Sequence, residues 1–133
     1  MTKETLWPEF SLDVSVRSPK TVLDEQAKFL ANGTKNVLTA GIRTFTPNDG
    51  YQTYQFSIIA PSLSNFNYTL LRINQKSILE PYPCELISAS IEELNDWTVI
   101  LSEDELSKYL KLIFNHESTQ KVINALISQS KAA

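Results

Sequence analysis

The side chains best equipped for proton transfer or nucleophilic attack near neutral pH are a single histidine, His116, followed by Glu117, and a single cysteine, Cys84. A dyad would need the imidazole to take the thiol proton, and nothing in the sequence brings the two together. The simpler reading makes His116 a cap on the helix before it, where positive charge is favoured, and Cys84 a small apolar packing residue. No catalytic residue is therefore assigned. One histidine and one cysteine cannot supply the imidazole and thiolate ligands of a zinc site, whereas a magnesium-type site of carboxylates stays open. The three glycines, Gly33, Gly41 and Gly50, form no loop through which a backbone could approach phosphate groups. No metal or cofactor is expected.

Charge offers a second kind of chemistry. Between Glu80 and Glu105 lie eight acidic residues and no lysine or arginine. An acidic surface would draw a basic protein partner or a cation and speed their encounter. The plainer reading places Glu92, Glu93, Glu103, Asp104 and Glu105 in first turns of helices, where the dipole favours negative charge. Glu92, Glu93, Asp96, Glu103 and Asp104 are accordingly the acidic part of a candidate interaction surface.

Aromatic residues supply the other part. Tyr51, Tyr54, Phe56, Phe66, Tyr68 and Tyr82 fall mostly on strand-like stretches. An exposed cluster of them could line an interface, although residues at this spacing are ordinarily core and cross-strand pairs. Tyr54 and Tyr68 stand for this tyrosine-bearing sheet face. Arg72 falls, by strict alternation, on the same face as Phe66, Tyr68 and Leu70. A lone charge there would sit at the sheet edge with its stem buried, or pair with a carboxylate, so its loss should destabilise the fold.

These side chains must be carried by elements, and alternation supplies the central ones. Tyr54, Phe56 and Ile58 share a face, as do Phe66, Tyr68 and Leu70, and the break between them holds Pro61, Ser62, Ser64 and Asn65: a β-hairpin over 51–73. Val37 to Thr46 read as a preceding strand, with Leu38, Ala40 and Ile42 inward and Arg43 outward. The turn Pro47-Asn48-Asp49-Gly50 joins it to the hairpin, which gives a meander over 37–74. Asn74 to Glu80 read as connection, Pro83 to Ala89 as a fourth strand starting at an edge, and Trp97 to Leu101 as a fifth strand or a core-facing loop.

Helices flank this sheet. Ser18-Pro19 opens one with an apolar stripe at Leu23, Ala27 and Leu30, stopping at Asn32-Gly33 or running on to Leu38. Ser90 with Glu93 matches a capping box for a single turn. Ser102 with Glu105 matches another, before an amphipathic helix over 103–115, and Ser118 can cap a last helix over about 119–129. Residues 1–17, with Trp7 and the alternating Phe10, Leu12, Val14 and Val16, are a loosely ordered arm or an edge strand.

The expected fold is thus α+β: an antiparallel sheet of three to five strands packed by an N-terminal helix and a C-terminal helix pair, in one domain over 1–133. Hydrophobic residues at 42% and charged ones at 20% suit a globular chain. A net charge of −3, with basic residues scattered singly, argues against nucleic acid as a partner. No stretch has the length of a membrane span, and a single cysteine with no signal-like N-terminus fits the cytoplasm. The leading functional expectation is a non-catalytic protein-interaction module that holds a protein partner or its own copy. The alternative is a small-ligand binder or enzyme with a pocket between sheet and helices.

Overall fold

The computed structural model describes residues 3–12, 16–47 and 50–133. Its elements run α1 (Pro19–Gly33), β1 (Thr39–Phe45), β2 (Gln52–Ala60), β3 (Phe66–Ser77), β4 (Glu80–Ile87), β5 (Thr98–Ile100), α2 (Glu103–Phe114) and α3 (Glu117–Ala132). The strands form one sheet in the order β1-β2-β3-β4-β5, every neighbour antiparallel. The α+β expectation holds, with all five strands present.

The first helix starts as its sequence dictates: Ser18 Oγ accepts from Thr21 N–H at 3.4 Å, and Pro19 takes the first position. Its end differs. Gly33 stays helical, and the left-handed conformation that closes the turn falls on Lys35 and Asn36, with φ of 52° and 65°. Asn36 N–H then bonds Ala31 O at 2.8 Å, and Thr34 Oγ1 accepts from Leu38 N–H at 3.1 Å. That hydroxyl ties helix to strand, so the chain leaves the helical path before Leu38, which is buried. In the following turn Gly50 N–H bonds Pro47 O at 3.1 Å with Gly50 at φ +85°, while Asn48 and Asp49 lie outside the described residues.

The sheet shows its main surprise in β3. Tyr68 pairs with Ile58 and Thr69 with Ser57, but the next partner, Phe56, faces Leu71. Leu70 is the extra residue of a β-bulge, and both Leu70 and Leu71 are buried. Alternation restarts out of phase, so Leu71 and Ile73 point into the core and Arg72 points the other way. The face expected for Arg72 is therefore corrected: it pairs across with Gln55 on the opposite side, is exposed, and donates from Nε to Gln55 Oε1 at 3.1 Å.

Past Ile73 the expected connection is in fact ladder. Asn74 pairs with Glu85, Gln75 with Cys84 and Ser77 with Glu80, so β3 and β4 are both longer than alternation suggested. Pro81 and Pro83 are tolerated because β5 pairs only from Cys84 onward, which leaves that end of β4 without a neighbour on its far side. The single turn after β4 is a 3-10 turn at Glu92–Leu94, yet the Ser90 capping box is absent: no side chain caps it, and Ser90 Oγ is buried with no partner among the described residues. Ser88 does the tying, donating from Oγ to Leu70 O at 2.7 Å and from N–H to Leu94 O at 2.8 Å.

All three helices supply the core on one side of the sheet. Val22 and Leu23 of α1, Leu106, Leu110 and Ile113 of α2, and Leu126 of α3 are buried with Tyr54, Phe56, Ile58, Leu71, Ile73, Cys84, Leu86 and Ile100 from the strands. Ser102 caps α2 as expected, its Oγ accepting from Glu105 N–H at 3.2 Å. The last helix begins at Glu117 and continues to Ala132, taking in residues expected as a cap and a polar tail. Residues 3–12 adopt no regular structure and are exposed: an arm, with 13–15 outside the described residues.

Candidate interaction surface

The register sorts the remaining side chains onto the sheet's other face, where Arg43, Gln55, Ser57, Thr69, Arg72, Asn74, Glu85 and Val99 stand opposite the helix-packed positions. This face is mostly polar over β1 to β3, where Phe45 and Ile59 are its apolar members, and it carries Ile87 on β4 and Val99 on β5. Trp97, Val99 and Leu101 alternate there with exposures of 41%, 52% and 66%, while Ile100 between them is fully buried. Below this row, Val16, Tyr82, Leu101, Ser102, Glu103 and Asp104 line a shallow depression of about 390 Å³.

Exposed acidic groups precede and follow the row in the chain. Ile91 and Leu94 anchor the connector into the core, which turns Glu92 and Glu93 outward. Asp96, exposed, accepts from Trp97 N–H at 2.8 Å and so fixes the start of the row, and Asp104 is exposed at its end. Glu92 and Glu93 lie in the first turn of the 3-10 turn, and Glu103, Asp104 and Glu105 in the first turn of α2, so they also complement backbone dipoles. Basic side chains reach three of the eight acids: Lys76 approaches Glu85 at 3.5 Å, the His116 imidazole Nε2 lies 3.9 Å from Glu93, and Arg17 engages Glu103.

Arg17 is the residue that sequence reading missed. Its N–H donates to Glu103 Oε1 at 2.6 Å, its Nε reaches the same oxygen at 3.3 Å, and its Nη1 pairs with Glu25 of α1. Tyr82 Oη donates to Arg17 O at 2.9 Å. One residue thus clamps the arm's base to α1, α2 and β4. The hydrogen bond from the Arg17 backbone is the largest influence on the Glu103 carboxyl, and it holds that group below its usual range against the opposing effect of burial. A lone arginine followed by Ser-Pro gives no sequence signal of contacts so far along the chain.

The tyrosines behave differently from one another. Tyr54 is 7% exposed beneath the helices, so it belongs to the core and not to a surface. The tyrosine-bearing face is the covered one, because the hairpin's apolar residues need the helices above them. Tyr68 packs half-buried against the same core. His116 caps the helix after it, Nδ1 accepting from Ser118 N–H at 3.1 Å, in place of the expected role at the end of α2. Cys84 is fully buried, and that burial pushes its thiol up to about 12, so it stays protonated at neutral pH.

These features define a five-stranded meander with helices on one face and an exposed apolar row at its β5 edge, between Asp96 and Asp104. No protein-family model matches the chain, and the searches of curated proteins and of solved structures likewise return no significant match. Among the described residues no helix is long and apolar enough to cross a membrane, and no group of three or more histidine, cysteine or acidic side chains is placed to hold a metal ion.

Proposed function

We propose that this protein is a non-catalytic interaction module of the cytoplasm that holds a protein partner at the β5 edge. The supporting observation is the exposed row of Trp97, Val99 and Leu101, with Asp96 bonded to its first residue and Asp104 beside its last. Protein interfaces combine an apolar, aromatic-rich centre with a polar rim, and exposed apolar side chains in a row mark such sites. The acids make a basic rim on the partner the natural complement, with long-range attraction favouring encounter. Val16 lines the depression beside Leu101, and the residues of the arm, Leu6, Trp7, Phe10 and Leu12, are exposed apolar side chains as well.

Native gel filtration of a cell extract tests the proposal. The chain should elute well above its 15.0 kDa monomer mass, and Val99→Asp with Leu101→Asp should return it to monomer size. Elution of the wild-type chain as a monomer, at low and high salt alike, would count against it.

A second reading, self-association, is favoured by Arg43 and Arg72 standing on the same open sheet face as Glu85 and Val99. Two such faces packed about a twofold axis would set the arginines of one copy against the acids of the other. Sedimentation equilibrium of the purified chain distinguishes it: a dimer that dissociates as salt rises supports self-association, and a monomer at all concentrations removes it.

A further inference from the structure

The sheet has a second open edge, at β1, on the far side from β5. β1 pairs with β2 over all 7 of its residues without a break in register, and no strand among the described residues lies along its other side. Backbone N–H and C=O groups of a strand point to both sides, so this edge offers a row of unpaired groups to an extended chain. Prolines, bulges and charges are the usual means of blunting such an edge. β1 has neither proline nor bulge, and its one charge is Arg43.

That charge has company. From Thr34 to Leu79 the sequence holds four basic residues, Lys35, Arg43, Arg72 and Lys76, and one acid, Asp49, the reverse of the stretch from Glu80 to Glu105. Arg43 and Arg72 flank Gln55 in one row across β1, β2 and β3, and both are exposed. Neither is ion-paired among the described residues. Arg43 lies 4.7 Å over the Phe45 ring, and Arg72 donates to Gln55 Oε1. With that oxygen engaged, the free groups of the row are chiefly N–H donors. Gly41, Arg43, Gln55, Ser57 and Asn67 line a depression of about 300 Å³ in this face, and at Gly41 no side chain stands between it and the β1 edge.

We propose that the β1 edge takes an acidic peptide as a sixth strand, its backbone pairing along 39–45 and a carboxylate side chain reaching past Gly41 to Arg43 and the depression. Neighbouring strands lie about 4.8 Å apart, which brings a side chain of the added strand within reach of both. In such additions main-chain bonds supply affinity and side-chain sites supply specificity. Charge selects the occupant. Two copies paired antiparallel through β1 would set both Arg43 side chains on one face, where like charges repel, whereas a carboxylate is attracted there. The site lies at the opposite edge from β5 and does not depend on the partner proposed for that edge.

The test titrates the full chain into fluorescein-labelled Thr-Val-Glu-Val-Glu-Val-Thr, with anisotropy as the readout. The peptide should bind saturably and protect β1 amides from hydrogen exchange. Arg43→Ala, at an exposed position, should weaken binding roughly five- to tenfold, as loss of one charge-assisted hydrogen bond requires. Val99→Asp, at the other edge, should leave it unchanged. The same peptide with lysine in place of glutamate should bind at least about tenfold more weakly. Of two glutamate peptides N-methylated at odd or at even positions, at least one should lose binding, since one set removes the N–H groups that face β1. No saturable binding, equal binding of the lysine peptide, full affinity in Arg43→Ala, loss of affinity in Val99→Asp, or binding kept by both N-methylated peptides would overturn the proposal. Protection of β1 that grows with chain concentration in the absence of peptide would give the edge to a second copy and overturn it as well.

Discussion

Arg72 illustrates how a single side chain reports on its surroundings. Strict alternation sets it among core residues, whereas the register sets it on the open face, exposed and bonded to Gln55. Arg72→Ala should therefore change stability by no more than about 0.5 kcal/mol, as for other surface substitutions; urea denaturation measures this, and a loss of several kcal/mol would return it to the core face. Glu103 makes the opposite prediction. Its carboxyl lies below its ordinary value of 4.5 because Arg17 N–H bonds the ionised form. Protonation is thus harder in the folded chain than in the unfolded one, so the stabilisation is fully present above about pH 4.5 and is lost as pH falls through the lowered folded value. Glu103→Gln should lower the urea midpoint at pH 7, and the gap between variant and wild type should shrink as the pH is brought down toward 3. A gap that stays constant with pH would mean the clamp does not depend on the charge.

At the scale of elements, the hairpin was legible because side chains alternate and because Pro61, Ser64 and Asn65 suit its turn, where Ser64 and Asn65 take φ of 57° and 58°. The helices were legible from their stripes and from Ser18 and Ser102, whose hydroxyls do cap them. The bulge was not, because consecutive Leu70 and Leu71 fit a strand in either phase and only the partner strand decides between them. The β3–β4 ladder was hidden for a related reason: polar Asn74, Gln75 and Lys76 look like connection until pairing satisfies their backbone. A strict ladder would bury one of the two leucines, whereas the bulge buries both. Leu70→Ala and Leu71→Ala should each cost about 2–5 kcal/mol, as core truncations do. Calorimetry would show it, and a near-neutral result for either would contradict the bulge.

For the whole molecule, the decisive asymmetry is that all the helices lie on one side. Among the candidate surface residues, that arrangement takes Tyr54 into the core, leaves Tyr68 at its margin, turns Arg72 to the open side, and keeps Glu92, Glu93, Asp96 and Asp104 exposed, with Glu103 partly drawn into the Arg17 clamp. The acidic residues could be named from sequence because charge seeks water whatever the fold. The apolar row beside them could not, since Trp97, Val99 and Leu101 look the same in a core as on an edge until Ile100 claims the inward position. Val99 is thus the place to test the account most directly. A photo-activated crosslinking residue placed at 99, with a control at exposed Lys28 on α1, reads out contact in the living cell. The account predicts one adduct of discrete mass from position 99 and none from position 28, the adduct fading when Asp96 and Asp104 are made asparagine. Absence of an adduct at 99, or the same adducts from both positions, would contradict it.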